Sequence, residues 1–245
     1  LVIATASMPP DKWVETRAYC WMVAFLHFDK LFQIPLIIAH ETTGIPYRAL
    51  FDAFAGQYLD DLTPLVSDVW AFFIRKARSI QRGGPEYCDA PQWLNMWWPV
   101  DEYAMIDLCT QNHYGQFCAQ AACVLQRVVC EYWQDPLPDV VLQDVVRLNK
   151  LLLKMPFQTS DLELDMDTNV WEIYQGALYG EHVPLECSPR TYHLDRTSQS
   201  WSSWDDWCRD VVWYGNRRGA YFYGQSAVER QIAGHYGEAF ASHTP

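Results

Sequence analysis

The chain has 245 residues, of which 50% are hydrophobic and 15% are aromatic. This composition is typical of one large or two small globular domains and excludes a disordered chain. The net charge of −12, from 18 basic and 30 acidic residues, disfavours nucleic acid as a partner, because polyanions bind basic surfaces.

The amino-terminal residues predict a short strand. The run Leu1-Val2-Ile3-Ala4-Thr5 is apolar and begins without methionine, so we expect the chain to be a piece of a longer polypeptide. The most apolar region, residues 18–39, is interrupted by Asp29 and Lys30. Its uncharged stretches are too short to cross a bilayer, so the sequence predicts no membrane span.

Helical periodicity dominates the chain up to Pro156. Pro9 and Pro10 begin a predicted helix that extends to Gln33, and Pro35 should break or kink it. Residues 83–99, which include three tryptophans, are interpreted as a loop with an aromatic end. Apolar spacing predicts the remaining helices of this part over residues 34–42, 46–54, 64–82, 101–133 with a pause near 115, and about 138–156.

The pattern changes after Pro156. Residues 161–167 alternate strictly between apolar and polar, which predicts a strand, and 190–196 and 220–223 are weaker strand candidates. Short helices are predicted near 169–179 and 204–216. The expected fold is therefore mainly α and bundle-like, with a few short strands. Its expected parts are a helical domain over 1–156, a smaller α+β part over 157–224 packed on it, and a frayed tail over 225–245.

Potential metal motifs in the sequence are incomplete. The run His40–Gly44 begins like H-E-x-x-H but lacks the second histidine, and Asp165–Gly176 lacks the glycine and glutamate of a Ca²⁺ loop. The eight cysteines form neither C-x-x-C nor C-x₃-C-x₂-C, so no zinc or iron–sulfur site is predicted. Together with the absence of a signal peptide pattern, they favour a reducing cytoplasm.

The densest aromatic segment runs from Trp201 to Tyr223, and it supplies the candidate site. One interpretation is a packed terminal helix whose dipole is compensated by two following arginines. The other is that an arginine beside aromatic faces holds an acidic group of a substrate or partner. The candidate binding residues are Trp207, Trp213, Tyr214, Asn216, Arg217, Arg218 and Tyr221.

Three segments carry a resemblance to a known family: VVWYGNRRGAY at 211–221, the MPPDKW opening at 8–13, and the helical stretch from Trp21 to Leu36. Together they resemble the C-terminal region of bacterial cobalamin-binding radical SAM proteins, the group related to the anaerobic magnesium-protoporphyrin ester cyclase and to radical SAM methyltransferases. The resemblance implies cobalamin-binding and radical SAM domains preceding this chain. Those domains would carry cobalamin, S-adenosylmethionine and the [4Fe–4S] cluster, and this chain would carry no cofactor and no catalytic residue.

On this hypothesis the chain is an accessory domain that recognises a small-molecule substrate and is inactive alone. The alternative is a stand-alone helical module whose tryptophan-rich pocket, lined by Trp93, Trp97, Trp98 and the helix Trp207–Trp213, takes an apolar or acidic small molecule. A hydrolase with a dispersed Cys–His or Asp–His pair stays open as a third class, because such pairs meet only in the fold.

Overall fold

Helices make up most of the computed structural model, which describes Thr5 and residues 7–194, 196–197 and 200–215. The predicted mainly α fold with a few short strands is confirmed. In chain order the elements are α1 Pro10–Val23, α2 Gln33–Thr43, α3 Tyr47–Asp52, α4 Pro64–Gln81, β1 Cys88–Ala90, β2 Met96–Trp98, α5 Val100–Thr110, α6 Tyr114–Trp133, α7 Asp139–Leu152, β3 Leu162–Thr168, α8 Val170–Tyr179, β4 Cys187–Leu194 and α9 Trp204–Trp207. Helices α1, α3 and α9 continue into π-helical turns over Ala24–Phe28, Ala53–Gln57 and Cys208–Gly215.

The core lies between α1, α4 and α6, where aromatic rings from three elements meet. Phe25, in the π turn after α1, contacts Phe73 of α4 edge-on with ring centroids 5.9 Å apart. It contacts Phe117 of α6 in the same way at 5.5 Å. All three side chains are fully buried. Edge-to-face packing is a preferred arrangement of aromatic pairs, and it fixes how these helices cross.

The predicted first helix is wrong at its end, because helical structure stops at Phe28 rather than Gln33. Lys30 takes a left-handed backbone conformation, with φ +64°, in the bend that precedes α2. Pro35 does not interrupt a helix, since it lies in the first turn of α2, where a missing N–H has no intrahelical acceptor. Among the described residues no single helix is long and apolar enough to cross a membrane. Among these residues one pair of helices, α1 with its π turn and α2, is long and apolar enough when the two are taken together. The two helices are bent by 89° relative to each other.

The loop predicted over 83–99 is wrong from Cys88 to Trp98, where β1 and β2 form an antiparallel hairpin. Cys88 pairs with Trp98 and Ala90 with Met96. Leu94 and Asn95 make the turn with φ of +56° and +48°. Each strand has only three residues, too short for the alternation of apolar and polar residues that identifies a strand in sequence.

The second two-stranded sheet pairs β3 with β4 antiparallel, close to the predicted strands at 161–167 and 190–196, and α8 lies between the two strands in the chain. Leu162 lies opposite Leu194, and Met166 lies opposite Arg190. Asp144 of α7 holds this sheet against the helices. Its Oδ2 accepts hydrogen bonds from the backbone N–H groups of Asp167 and Thr168 at 3.0 and 2.9 Å and from the Thr168 hydroxyl at 2.7 Å.

Several predicted features lie outside the described residues. These are most of the amino-terminal strand, the strand at 220–223 and the tail at 225–245. The boundary near Pro156 stays a prediction. Contacts do cross it, since the Trp207 indole N–H donates to the Lys154 carbonyl at 2.8 Å and the Tyr174 hydroxyl donates to the Gln33 side-chain oxygen at 3.0 Å.

We expect Asp161→Asn to change how stability depends on pH. The Asp161 carboxylate accepts hydrogen bonds from the N–H groups of Arg196 and Thr197 at 2.7 and 2.9 Å. These bonds lower its pKa from 3.8 to about 2. Because the folded pKa is below the unfolded one, the carboxylate stabilises the fold above about pH 4, and this contribution is lost as the pH falls towards 2.

Urea unfolding of both proteins between pH 2 and 7 measures the effect. The variant should be less stable than the natural protein at pH 7, and the difference should shrink steadily below pH 4. A difference that stays constant over that range would contradict the assignment.

Candidate functional site

The candidate binding residues of the sequence fall into two groups in the structure. Trp207 is fully buried, and its indole donates to the Lys154 carbonyl. Trp213 is half-buried, and Tyr214 is 53% exposed. The remaining candidates lie outside the described residues; they are Asn216, Arg217, Arg218 and Tyr221.

The structure does bring the two tryptophan-rich segments together. Trp213 contacts Trp97 and Trp98 edge-on, with ring centroids 6.2 and 5.7 Å apart. Trp98 and Trp93 are buried, whereas Trp97 is 48% exposed. None of these four rings is among the residues that line the three cavities described below.

An apolar groove of about 640 Å³ lies between α6, α7 and β3. That volume is within the range of pockets that hold small molecules. Leu142 and Val146 of α7 form one wall, Ala122 of α6 another, and Leu162 of β3 closes the side. Leu151, at the end of α7, adds a further aliphatic side chain to the lining. These side chains leave a concave aliphatic surface open to solvent.

The groove exists because α7 is apolar on two neighbouring stripes. Val141 and Val145 of the first stripe are buried in the core. Leu142 and Val146, one residue further along, form a second stripe that is only half-covered. From the facing helix α6, the small residue Ala122 lines the groove, and Gly115 lies beside Lys150.

Two cations lie beside this apolar surface. Arg147 donates one guanidinium hydrogen bond to the Asp165 carbonyl at 3.0 Å, which fixes it at the β3 side. The ammonium group of Lys150 lies over the first turn of α6, where a Cβ added to Gly115 would be 3.5 Å away. Glu163 is the carboxylate of the lining. The groove therefore combines an aliphatic floor with a net positive edge, although the chain as a whole has a net charge of −12.

Three cysteines are buried in the helical part and have raised pKa values. Burial raises the pKa of the Cys109 thiol well above its usual value and that of the Cys118 and Cys208 thiols to about 12. A thiol in this state is protonated at neutral pH and is a poor nucleophile or metal ligand. These residues therefore act as small hydrophobic side chains.

Thiol reactivity should divide the eight cysteines into two equal groups. Cys20, Cys123, Cys130 and Cys187 are exposed, and the other four are buried. With Ellman's reagent the native protein should release four equivalents rapidly and the other four only after denaturant is added. A fifth rapid equivalent from the native protein would contradict the burial of this set.

The residues of the two incomplete motifs lie in or next to regular secondary structure, His40 in α2 and Asp165 in β3. The His40 Nδ1 atom is hydrogen-bonded to the Ile45 carbonyl at 2.8 Å, and Asp165 and Asp167 lie in strand β3. Within the part of the chain that the structure describes, no group of three or more His, Cys, Asp or Glu side chains could hold a metal ion.

Comparison with known proteins gives no family assignment. No protein-family model matches the chain, and no curated protein matches its sequence. The resemblance to cobalamin-binding radical SAM proteins therefore stays a hypothesis. The functional conclusion rests on the geometry of the groove.

Proposed function

We propose that the chain is a binding domain that holds an elongated apolar ligand with an acidic head group in the groove between α6, α7 and β3. The observation that carries the proposal is the aliphatic surface of Leu142, Val146 and Leu162 lying beside Arg147 and Lys150. Apolar walls with a few placed polar groups are typical of small-molecule sites. The ligand class follows from this pairing, because an acyl chain suits the floor and a carboxylate or phosphate suits the cations.

The expected affinity is modest because the groove is open. Each methylene group removed from water contributes about 0.8 kcal/mol. A ten-carbon chain that buries about half its length gains roughly 4 kcal/mol, and a solvent-exposed ion pair adds about 1 kcal/mol. The sum corresponds to a dissociation constant on the order of 200 µM.

Calorimetric titration with decanoate and with decyltrimethylammonium tests the proposal. The two probes share an apolar chain and differ in the sign of the head group. We expect decanoate to bind and decyltrimethylammonium to bind about tenfold more weakly or not at all, a difference of about 1.4 kcal/mol. Replacing both Arg147 and Lys150 by glutamine should remove this preference without abolishing the apolar contribution.

Val146→Gln tests the apolar floor, and Val140→Gln is its matched control. Both valines lie on α7, but Val146 lines the groove, whereas Val140 is 38% exposed and does not. The first change should weaken decanoate binding about tenfold, and the second should leave it unchanged. Equal loss in both variants, or no decanoate binding by the natural protein, would overturn the proposal.

A second hypothesis places this binding domain within a larger enzyme. The segments at 8–13, 21–36 and 211–221 support it by their resemblance to the C-terminal region of cobalamin-dependent radical SAM proteins. On this hypothesis the groove holds part of the substrate of a methyltransferase- or cyclase-like enzyme, and the cobalamin-binding and radical SAM domains are its partners. Residues 1–245 expressed alone should then contain no iron and cleave no S-adenosylmethionine, whereas stoichiometric iron with cleavage would contradict it.

A further inference from the structure

Three arginines form a row at the carboxyl end of α4. Arg75 and Arg78 lie on the helix, Arg82 is the residue directly after it, and their spacing of i, i+3 and i+7 places them near one another. With Ser79 and the turn Gly83–Gly84 they line a shallow pocket of about 670 Å³. This pocket shares no residue with the apolar groove.

These arginines differ from others of the chain in lacking a carboxylate partner. Arg48 pairs with Asp52 at 2.8 Å, Arg127 with Asp60 at 2.8 Å, and Arg209 with Asp206 at 2.7 Å. Within the described ranges, no acidic oxygen lies within 4 Å of the guanidinium groups of Arg75, Arg78 or Arg82. In a chain with 30 acidic and 18 basic residues, these three arginines are a local concentration of positive charge.

Backbone donors satisfy part of the carboxyl end of α4. The Ser79 carbonyl accepts from the backbone N–H groups of Arg82 and Gly84 at 3.0 and 2.9 Å, and the Ile80 carbonyl accepts from Gly83 at 3.0 Å. These two carbonyls therefore do not need the arginine side chains as donors. The guanidinium groups make no hydrogen bond to the described part of the chain and keep their donors free for a ligand.

The glycine turn keeps the pocket open. Gly83 has φ +88°, a left-handed conformation that favours glycine. A Cβ on Gly84 would lie 2.5 Å from the Ser79 hydroxyl and 2.9 Å from the Ser79 carbonyl oxygen. Because Gly84 has no side chain, the turn can pack tightly against the end of α4. The side of the pocket that the arginines line stays uncovered.

We infer that this row is a binding site for a compact polyphosphate group. A guanidinium group matches two oxygens of one phosphate, so neighbouring arginines suit neighbouring phosphates. Arg78 and Arg82 are the centre of the site. Arg75 lies at its edge, because it also lines a second cavity of about 380 Å³ with Asp68 and Asp107. The chain as a whole is negatively charged, so a long polyanion that extends beyond the arginine row would meet repelling carboxylates. A compact polyphosphate stays within the row and meets less repulsion.

Calorimetric titration with sodium tripolyphosphate tests this inference on the natural chain and on Arg78→Gln/Arg82→Gln. The natural protein should bind tripolyphosphate at least about tenfold more tightly than orthophosphate. The double variant should lose at least about tenfold in affinity for tripolyphosphate and keep its circular dichroism spectrum, because both side chains are exposed. Raising NaCl from about 50 to 200 mM should weaken binding by the natural protein.

Arg48→Gln is the matched control, since Arg48 is an exposed arginine that is already paired. It should leave tripolyphosphate binding unchanged. Equal binding by the natural protein and the double variant would overturn the inference. Tighter binding of a 20-nucleotide single strand than of tripolyphosphate would overturn the ligand class. Decanoate binding should be unaffected in the double variant, so the outcome is independent of that for the groove.

Discussion

Replacing Trp207 by alanine should lower the free energy of unfolding by about 3–5 kcal/mol. The side chain is fully buried, its indole donates to the Lys154 carbonyl at 2.8 Å, and its ring meets Trp204 edge-on at 5.3 Å. The alanine variant leaves a cavity and removes the indole donor. Urea unfolding followed by circular dichroism measures the loss.

Trp97→Ala is the control for this prediction. Trp97 is also a tryptophan in an aromatic cluster, but it is 48% exposed and contacts Tyr87 and Trp213 at the surface. Trp97→Ala should lower the free energy of unfolding by about 1 kcal/mol. If the two variants were equally stable, Trp207 would not be a core residue.

Asn149→Ala should lower the free energy of unfolding by about 2–4 kcal/mol, because it leaves several buried polar groups without their partner. The Asn149 side chain is fully buried and joins three parts of the chain. Its Oδ1 accepts from the Ile34 N–H at 3.1 Å, and its Nδ2 donates to the Leu31 carbonyl at 2.8 Å and to the Tyr114 hydroxyl at 3.0 Å.

A double-mutant cycle with Tyr114→Phe separates this network from simple packing. Tyr114→Phe removes only the hydroxyl, which donates to the Leu31 carbonyl at 3.3 Å. Because the two side chains share a hydrogen bond, the double variant should lose less stability than the sum of the single losses. Strict additivity, or an Asn149→Ala loss below about 0.5 kcal/mol, would contradict the network.

Elements with strong periodicity or strict alternation were predictable from the sequence. Helix α4 begins at the predicted Pro64, and β3 lies within one residue of the predicted strand. The end of α1 was not predictable, because it depends on a left-handed Lys30, which has no local sequence signal. The β1–β2 hairpin was missed because three-residue strands are too short for a periodic pattern.

The groove was missed for a different reason. Apolar spacing predicts the helix over about 138–156, and in the structure Val141 and Val145 of this helix are buried. It also shows Leu142 and Val146 beside them, but only the packing of α6 and β3 decides whether that second stripe is covered. One sequence signal could have indicated a groove. It is an apolar helix face that is wider than the stripe buried in the core and that lies opposite small residues on another helix.

The aromatic cluster predicted from the sequence stabilises the fold, and the groove is the proposed ligand-binding surface. Trp207 and Trp98 are buried and stabilise the fold, and the exposed Trp97 packs against Trp213. The aliphatic groove beside Arg147 and Lys150 has the open volume that a ligand needs. The proposed binding surface is therefore aliphatic, whereas the sequence predicts a tryptophan-rich pocket.

Nuclear Overhauser contacts between decanoate and the methyl groups of the protein test the proposed binding site most directly. With leucine and valine methyls labelled, the account predicts contacts from the decanoate chain to Leu142, Val146 and Leu162 and none to Val140. Contacts confined to methyl groups outside the groove at saturating decanoate would contradict it.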